Sequence, residues 1–126
     1  WDAGYGKKFP DIPFEPAVLL VSRIISNPAP TIYCLDLGHK AVGAENPIEN
    51  RVRFLHGEKL KYLGQSEEHL VVEVESGSNW QVGDVWYGVP WHICPTVALH
   101  QEAIVVENGI AGKRWEVMAR NRRITI

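Results

Sequence analysis

Hydrophobic and polar residues alternate with a period of two in several short segments of the chain. In residues 70–75, for example, Val72 and Val74 would lie on one face of a strand, and Glu73 and Glu75 on the other. A similar alternation, or a run of apolar, β-branched and aromatic residues, is found in four more segments: residues 17–25, 31–37, 51–55 and 85–89. The pattern predicts a β-rich domain.

Turn signals separate these segments at short intervals. Asn27-Pro28 is predicted to end the first strand, and Asn108-Gly109 is the strongest short-range signal for a β-hairpin. A further short strand is predicted at Thr96–Leu99, and residues 39–46 have a weak helical pattern. About seven or eight short strands with turns every ~8–12 residues are typical of a small barrel or sandwich. We therefore predict an all-β fold, a small antiparallel β-barrel-like domain that closes to hide its edges.

Length and charge limit the classes of function. The 126 residues, 45% hydrophobic and 22% charged, fit one ordinary globular domain. With a net charge of −2 and no basic block except the short terminal run at residues 120–123, we predict no nucleic-acid binding. No apolar segment approaches the ~20 residues of a transmembrane helix, so we predict no membrane insertion.

The cysteines and the first residues indicate the context of the chain. Cys34 and Cys94 are too few for a disulfide framework, and no signal segment is found at the start, so we expect reduced thiols in a cytoplasmic protein. The chain begins with Trp1 and not with a start methionine, and residues 7–16 contain three prolines. We therefore expect residues 1–16 to be a linker from a preceding part of a longer protein, and residues 17–126 to be the β domain.

His92 and Cys94 are the most promising pair for chemistry. In a strand, residues i and i+2 point to the same face, so the imidazole and the thiol would lie side by side. Both are good ligands for a borderline-soft divalent ion such as zinc, although both residue types also pack well inside barrels. Because Cys34 has no ligand-type residue closer than Asp36, a four-ligand structural site is not predicted. A metal held by two residues would keep open positions for a substrate.

Two polar segments are further candidates. Lys40 follows a turn signal and would be either a Schiff-base nucleophile or a solvated lysine. Residues 67–69, Glu-Glu-His, would either perform acid–base chemistry, with His69 as the candidate catalytic residue, or form the solvent-facing entry to the next strand. Single histidines usually make polar contacts, which we expect for His56 and His100. Four tryptophans are expected in the core rather than on a sugar-binding platform: Trp80, Trp86, Trp91 and Trp115.

Several blocks together resemble a known family. Residues 87–99, YGVPWHICPTVAL, are similar to the C-terminal metal-site segment of the D-threonine aldolase and D-serine dehydratase family. Residues 35–41, LDLGHKA, and 65–69, QSEEH, match in order and spacing, as do residues 79–84, NWQVGD. Residues 1–5 resemble the point where the chain of that family leaves an N-terminal α/β barrel of the alanine racemase type. The resemblance therefore implies that such a barrel precedes the linker.

The resemblance also implies a site and its cofactors. His92 and Cys94 match the two protein ligands of a divalent ion, zinc or manganese, which engages the β-hydroxyl of a D-amino acid substrate. Pyridoxal phosphate would be bound mainly by the barrel, and the intact protein would be a homodimer. Cysteine at the second ligand position is that of the dehydratases, whereas aldolases have aspartate there.

The same ligands are compatible with two reactions. The surrounding sequence looks closer to the aldolases, so we predict cleavage of β-hydroxy-D-amino acids to glycine and an aldehyde. The first alternative is a D-serine dehydratase-like β-elimination of the hydroxyl. The second is a non-catalytic β module used for dimer contacts, in which His92 and Cys94 are core residues.

Overall fold

One curled antiparallel sheet is the centre of the fold. The computed structural model describes residues 1–75, 78–121 and 123–124. In chain order the strands of this sheet are β1 (Leu20–Ala29), β2 (Ile32–Leu35), β3 (Val52–Phe54), β4 (Leu60–Gln65), β5 (Leu70–Val74) and β6 (Val85–Pro90). Their order across the sheet is β3-β6-β1-β2-β5-β4, and each neighbouring pair is antiparallel. The prediction of an all-β domain is confirmed.

The inner face of the sheet forms the hydrophobic core. As the period of two predicts, Val72 and Val74 are buried, and Glu73 between them is more exposed. Trp86 lies at the centre of the core with only 1% of its surface exposed, and its ring is 5.1 Å from that of Phe54 and 6.4 Å from that of Tyr33. Burial of these large rings supplies much of the hydrophobic stabilisation of the domain.

The two edge strands of the sheet face each other without a ladder of backbone hydrogen bonds between them in the described residues. Side chains connect them instead. Tyr62 Oη of β4 donates to the carbonyl of Val52 in β3 at 3.2 Å, and Arg51 Nη1 donates to Gln65 Oε1 at 2.5 Å. The sheet is therefore a half-barrel with its edges covered by side chains, one of the ways in which proteins protect strand edges.

A hairpin stands apart from this sheet. β7 (Glu102–Glu107) and β8 (Ile110–Glu116) form a separate two-stranded sheet. Asn108 and Gly109 connect them with φ angles of 52° and 77°, the left-handed conformation of a tight hairpin turn, so the predicted hairpin is confirmed. Four large apolar side chains are 59–72% exposed: Ile104, Val106, Ile110 and Trp115. The prediction of a core position for Trp115 is therefore wrong.

Short helices flank the sheet. They are α1 (Ala3–Lys8), α2 (Ile93–Val97) and two 3₁₀ turns, Ile48–Asn50 and Met118–Asn121. α1 lies inside residues 1–16, the predicted linker, and it ends at Lys8, before the first of the three prolines at Pro10. Within the described residues, no helix has the length and hydropathy needed to span a bilayer.

Several local predictions differ from the structure. Residues 96–99 do not form a strand, because α2 ends at Val97 and a turn follows at residues 98–99. Pro28 does not end β1, since the β1–β2 register shifts between Ser26 and Ala29 and the missing proline N–H is accommodated there. β4 was not predicted, although Leu60 and Tyr62 alternate with more exposed neighbours. Residues 39–46 form turns and no regular helix.

Candidate functional site

His92 and Cys94 lie where β6 passes into α2. His92 is the N-cap of α2 with extended backbone angles, φ −130° and ψ 108°, and Cys94 belongs to the first turn of the helix. The argument that both side chains share one face of a strand is wrong here, because β6 ends at Pro90. The Cys94 thiol is free and exposed, and the His92 side chain is 41% exposed. Both groups are therefore accessible to a ligand.

A buried carboxylate holds this junction against α1. Asp2, which is 1% exposed, accepts a hydrogen bond from Ile93 N at 2.9 Å through Oδ2 and from Tyr5 N at 2.8 Å through Oδ1. It thus caps the N-termini of both short helices at once. In addition, Gly4 N donates to the carbonyl of Trp91 at 2.9 Å, and a Cβ at position 4 would lie only 2.7 Å from that oxygen. Close backbone contact at glycine fixes α1 beside the candidate site.

A second brace comes from the loop after β2. The Thr96 hydroxyl, in a side chain that is 1% exposed, donates to the carbonyl of His92 at 2.8 Å and accepts from Gly43 N at 3.0 Å. One buried hydroxyl thereby joins the loop to the first turn of α2. The backbone of His92 is held in place independently of any ligand.

Glu45, from the same loop, contacts the His92 ring. Its Oε1 lies 2.5 Å from Nδ1 of His92. Burial acts to raise the pKa of Glu45, but hydrogen bonds from its own backbone and from His92, with the positive charges of His92 and Arg51, lower the pKa below its usual value. The group at Nδ1 is therefore a carboxylate, and the contact leaves Nε2 as the ring nitrogen for other partners.

A shallow pocket of about 210 Å³ opens between α1 and the start of α2. Its walls include Tyr5, Lys8, Asn46, Trp91 and His92. Pockets for drug-sized ligands have volumes of ~300 Å³ or more, so this one suits part of a small molecule. The cationic side chain of Lys8 and the ring of His92 in its lining favour a small polar ligand.

Two further blocks of the resemblance, residues 35–41 and 65–69, are in contact with each other. His39 N donates to the carbonyl of Ser66 at 2.9 Å, and Lys40 N donates to that of Glu67 at 3.1 Å. Gly38 permits this approach, because a Cβ there would come within 1.9 Å of the Glu67 oxygen. Residues 35–41 and 65–69 are therefore joined through their backbones.

Lys40 is paired with a carboxylate. Its Nζ lies 2.7 Å from Glu68 Oε1, and the side chains are 64% and 62% exposed. The hydrogen bond and the charge of Glu68 raise the pKa of Lys40, while the same pair lowers the pKa of Glu68. A Schiff-base lysine needs the opposite shift, since its amine must lose the proton. Lys40 is therefore a solvated lysine in an exposed ion pair.

His69 lies at the entry to β5 with an exposed side chain. Its carbonyl accepts a hydrogen bond from Ser66 N at 2.9 Å, which closes the turn between β4 and β5. In the described residues no hydrogen bond connects His69 with His92 or Glu45. The structure therefore does not bring the candidate catalytic residue and the candidate ligands into one hydrogen-bonded site.

The remaining predicted polar contacts involve His56 and His100. His100 Nε2 lies 2.8 Å from the carbonyl of Ala41, so the prediction of a polar contact is confirmed. His56 stacks among aromatic rings, 4.3 Å from Trp86 and 5.6 Å from Phe54, and its Nδ1 accepts from Glu58 N at 3.2 Å. Burial lowers the pKa of His56. The half-buried ring therefore favours the neutral form and packs against the core residues Trp86 and Phe54.

The structure shows which residues could act as metal ligands. Over residues 1–75, 78–121 and 123–124, no three or more His, Cys, Asp or Glu side chains are grouped so as to hold a metal ion. A structural zinc site usually has four protein ligands. A site with two protein ligands is a different case: an accessible imidazole nitrogen at His92 and a free thiol at Cys94 are suitable donors for zinc.

Comparison with known proteins identifies the family. Residues 17–106 match the model of the putative serine dehydratase domain, and the chain belongs to this family. It is 36% identical over 124 residues to a D-threonine aldolase from Arthrobacter sp. and 30% identical over 118 residues to a 3-hydroxy-D-aspartate aldolase from Paracoccus denitrificans. These alignments cover 94% and 93% of the chain but only 31% and 29% of the relatives, so the chain spans about a third of their length.

Solved structures agree with this result. The fold superposes on D-threonine aldolase from Filomicrobium marinum with a TM-score of 0.83 and 26% identity, over 95% of this chain and 32% of that one. An alanine racemase-like protein from Idiomarina loihiensis has the same fold, with a TM-score of 0.63 and 22% identity over 78% of this chain and 30% of that one. The resemblance to D-threonine aldolases and D-serine dehydratases is confirmed.

Three residues of the site were not predicted from the sequence: Asp2, Glu45 and Thr96. Each acts through a partner far away in the chain, as when Asp2 bonds Ile93, 91 positions later. A polar residue just before a predicted helix would have been a signal for Asp2. No local pattern indicates that Glu45 meets His92.

Proposed function

We propose that this chain is the metal-binding β domain of a pyridoxal phosphate-dependent, D-threonine aldolase-like enzyme that cleaves β-hydroxy-D-amino acids to glycine and an aldehyde. Relatives named as aldolases support the reaction class. The observation that carries the proposal is the junction at α2, where the His92 ring, held by Glu45, lines an open pocket and the exposed Cys94 follows two positions later in the chain.

His92 and Cys94 would hold the divalent ion, zinc or manganese. Such an ion supplies Lewis acidity that lowers the pKa of a substrate hydroxyl. Three residues of this chain prepare that position. Asp2 binds the backbone of Ile93, between the two ligands, and Thr96 binds the backbone of His92. Lys8 on the pocket wall offers a positive charge to the carboxylate of an amino acid.

The rest of the catalytic machinery is assigned to another part of the protein. The chain has no glycine-rich phosphate loop, and its Lys40 is held in an ion pair. We therefore propose that a preceding α/β barrel binds pyridoxal phosphate, that residues 1–16 connect it to the β domain, and that His69 has at most an indirect role. Two free thiols suit the reducing cytoplasm that we propose for the protein.

The proposed metal site is tested by removing its ligands in the intact protein. We expect His92→Ala and Cys94→Ala to lose bound zinc or manganese, measured by atomic emission after gel filtration, and to lose turnover of D-threonine. His39→Ala is the matched control, because this histidine is exposed and lies outside the junction. Full metal content in both ligand variants would refute the proposal.

The two candidate reactions are distinguished by their products. Aldol cleavage of D-threonine gives glycine and acetaldehyde, whereas β-elimination gives a keto acid and ammonia. Cys94, which matches the dehydratase ligand, makes dehydration the alternative. Chromatographic detection of glycine would support the aldolase, and release of ammonia and keto acid without glycine would support the dehydratase.

The exposed hairpin favours a second candidate function, a β module for dimer contacts. A two-stranded hairpin is marginally stable alone in water, and here Trp115 and Ile110 are 66% and 72% exposed. If the hairpin forms a homodimer contact, Trp115→Ser will weaken the dimer in sedimentation equilibrium. Val21→Ser, at a residue that is 65% exposed on the sheet, is the control. Unchanged dimerisation of the Trp115 variant would exclude this role.

A further inference from the structure

Glu45 reaches the candidate site from a distant part of the chain. It lies in the loop that follows β2, and its Oε1 is 2.5 Å from Nδ1 of His92, 47 residues later. The same oxygen accepts a second hydrogen bond from Asn46 Nδ2 at 3.2 Å. Two donors on one oxygen fix the direction of the carboxylate.

The loop is built around this contact. Gly43 N is bonded to the Thr96 hydroxyl, which in turn donates to the carbonyl of His92. A Cβ at position 43 would lie 2.9 Å from Oε2 of Glu45 and 2.8 Å from Cγ of Pro95. The absence of a side chain on Gly43 thus leaves the space in which the Glu45 carboxylate folds back toward α2.

The far end of the loop is also anchored. Arg51 Nε donates to the carbonyl of Asn46 at 2.9 Å, and Arg51 Nη1 donates to Gln65 of β4. The carboxylate therefore rests on a segment that is attached at both ends, at Gly43 to α2 and at Asn46 to the sheet. Because its segment is attached at both ends, the Glu45 side chain can determine the orientation of the His92 ring.

A carboxylate can only accept a hydrogen bond, so the ring nitrogen that faces it must carry the proton. In neutral His92 the proton is then on Nδ1, and the lone pair is on Nε2. Histidines that bind metals commonly donate their second N–H to a carboxylate, which fixes the tautomer and raises the basicity of the ligand atom.

We propose that Glu45 is a positioning residue: it fixes the proton of His92 on Nδ1 and the ring orientation, so that Nε2 is the atom presented to the metal. The inference rests on the proposed metal site and adds a residue to it. Glu45 itself touches neither the ion nor the substrate.

The test uses Glu45→Gln in the intact protein, a change that keeps the size of the side chain. Because loss of such a partner typically weakens metal binding ~10–100-fold, we expect a decrease of that size in Zn²⁺ affinity, measured by competition with a chromophoric chelator. With Co²⁺ at saturation, the thiolate-to-cobalt charge-transfer band from Cys94 should persist, since the thiolate is still a ligand. Glu49→Gln removes the same charge from an exposed neighbour and should leave the affinity unchanged.

A second readout needs no metal. The ¹⁵N shifts of the His92 ring, recorded on metal-free protein at a pH where the imidazole is neutral, report which nitrogen bears the proton. We expect Nδ1–H in the wild type and a mixture of both tautomers in Glu45→Gln, because the amide can either accept from Nδ1–H or donate to an unprotonated Nδ1, with Glu45→Asp intermediate. Circular dichroism of the variants controls for folding.

The outcomes separate the two ideas. If the wild type binds no metal, the proposed function is wrong, and the ring shifts alone decide whether Glu45 fixes the tautomer. If the wild type binds zinc and Glu45→Gln binds it equally well with an unchanged His92 tautomer, the role of Glu45 is refuted and the metal site remains.

Discussion

Replacing Asp2 by alanine removes a buried carboxylate that caps α1 and α2 together. Loss of the N-cap on Tyr5 costs about 1 kcal/mol, within a range of ~0.5–2 kcal/mol. Ile93 N also loses its partner in a partly buried position, which costs a further ~1–3 kcal/mol. We therefore expect the free energy of unfolding to fall by about 2–4 kcal/mol, a large share of the ~5–15 kcal/mol typical of a domain.

The short length of α1 limits how far Asp2→Ala can lower the free energy of unfolding. α1 has six residues and is too short to persist alone in water, so it can leave its place while the sheet stays folded. Local opening would then limit the decrease in global stability. Hydrogen exchange distinguishes these cases, because the amides of Tyr5 and Ile93 should lose protection even where urea denaturation reports a smaller change.

Asp2→Asn is the matched variant. Asparagine is as good an N-cap as aspartate, so the bond to Tyr5 can remain, but the amide NH₂ cannot accept from Ile93 N. We expect about half the effect of the alanine variant, with exchange accelerated mainly at Ile93. The double-cap reasoning is refuted if Asp2→Ala and the wild type have the same free energy of unfolding within ~0.5 kcal/mol and the amides of Tyr5 and Ile93 keep their protection from exchange.

Further predictions concern the loop blocks and the core. Gly38→Ala should destabilise the domain by about 3 kcal/mol or more in urea denaturation, because the new Cβ would meet the Glu67 backbone. Gly64→Ala is the control, since a Cβ at position 64 has no heavy atom within 4 Å and should not disturb the packing. Burial holds the pKa of His56 below its usual value of 6.5, so the unfolded chain binds the proton more tightly. The contribution of His56 to stability should be full above about pH 6.5 and be lost as the pH decreases through the lower folded pKa. His56→Gln should flatten this slope, and an unchanged pH dependence of stability in that variant would contradict the reasoning. Lys40→Gln should leave urea denaturation nearly unchanged and keep turnover, since its ion pair is exposed to solvent; loss of turnover would restore Lys40 as a catalytic candidate.

The strands that the sequence predicted well are those whose signal is local. In β5, apolar and charged residues alternate because every second side chain enters the core, and this relation needs no partner to be known. The β7–β8 hairpin is local for the same reason, since Asn108 and Gly109 adopt the positive φ angles that the turn demands. The local rule failed at Pro28, because an irregularity of the β1–β2 pairing between Ser26 and Ala29 accommodates the proline.

In the candidate site, too, the features with a local signal were predicted and the long-range contacts were not. His92 and Cys94 were predicted from the chemistry of their side chains and from the resemblance to the family, and both can be read from the order of residues along the chain. The geometry argued for them was wrong, because the helix that begins at Ile93 depends on Asp2, a residue at the other end of the chain. A strand was the simpler prediction for a segment so rich in apolar residues.

By itself, the sequence determined the all-β class, the family and the identity of the proposed ligands. Tertiary structure alone decided that Asp2, Glu45 and Thr96 surround them, and that His69 lies in another turn. The physical reason is that alternation and turn conformation arise from neighbouring residues, whereas these contacts join loops that are 47 and 91 positions apart. Such contacts form only after the order of strands in the sheet has fixed which loops meet, and no local pattern encodes that order.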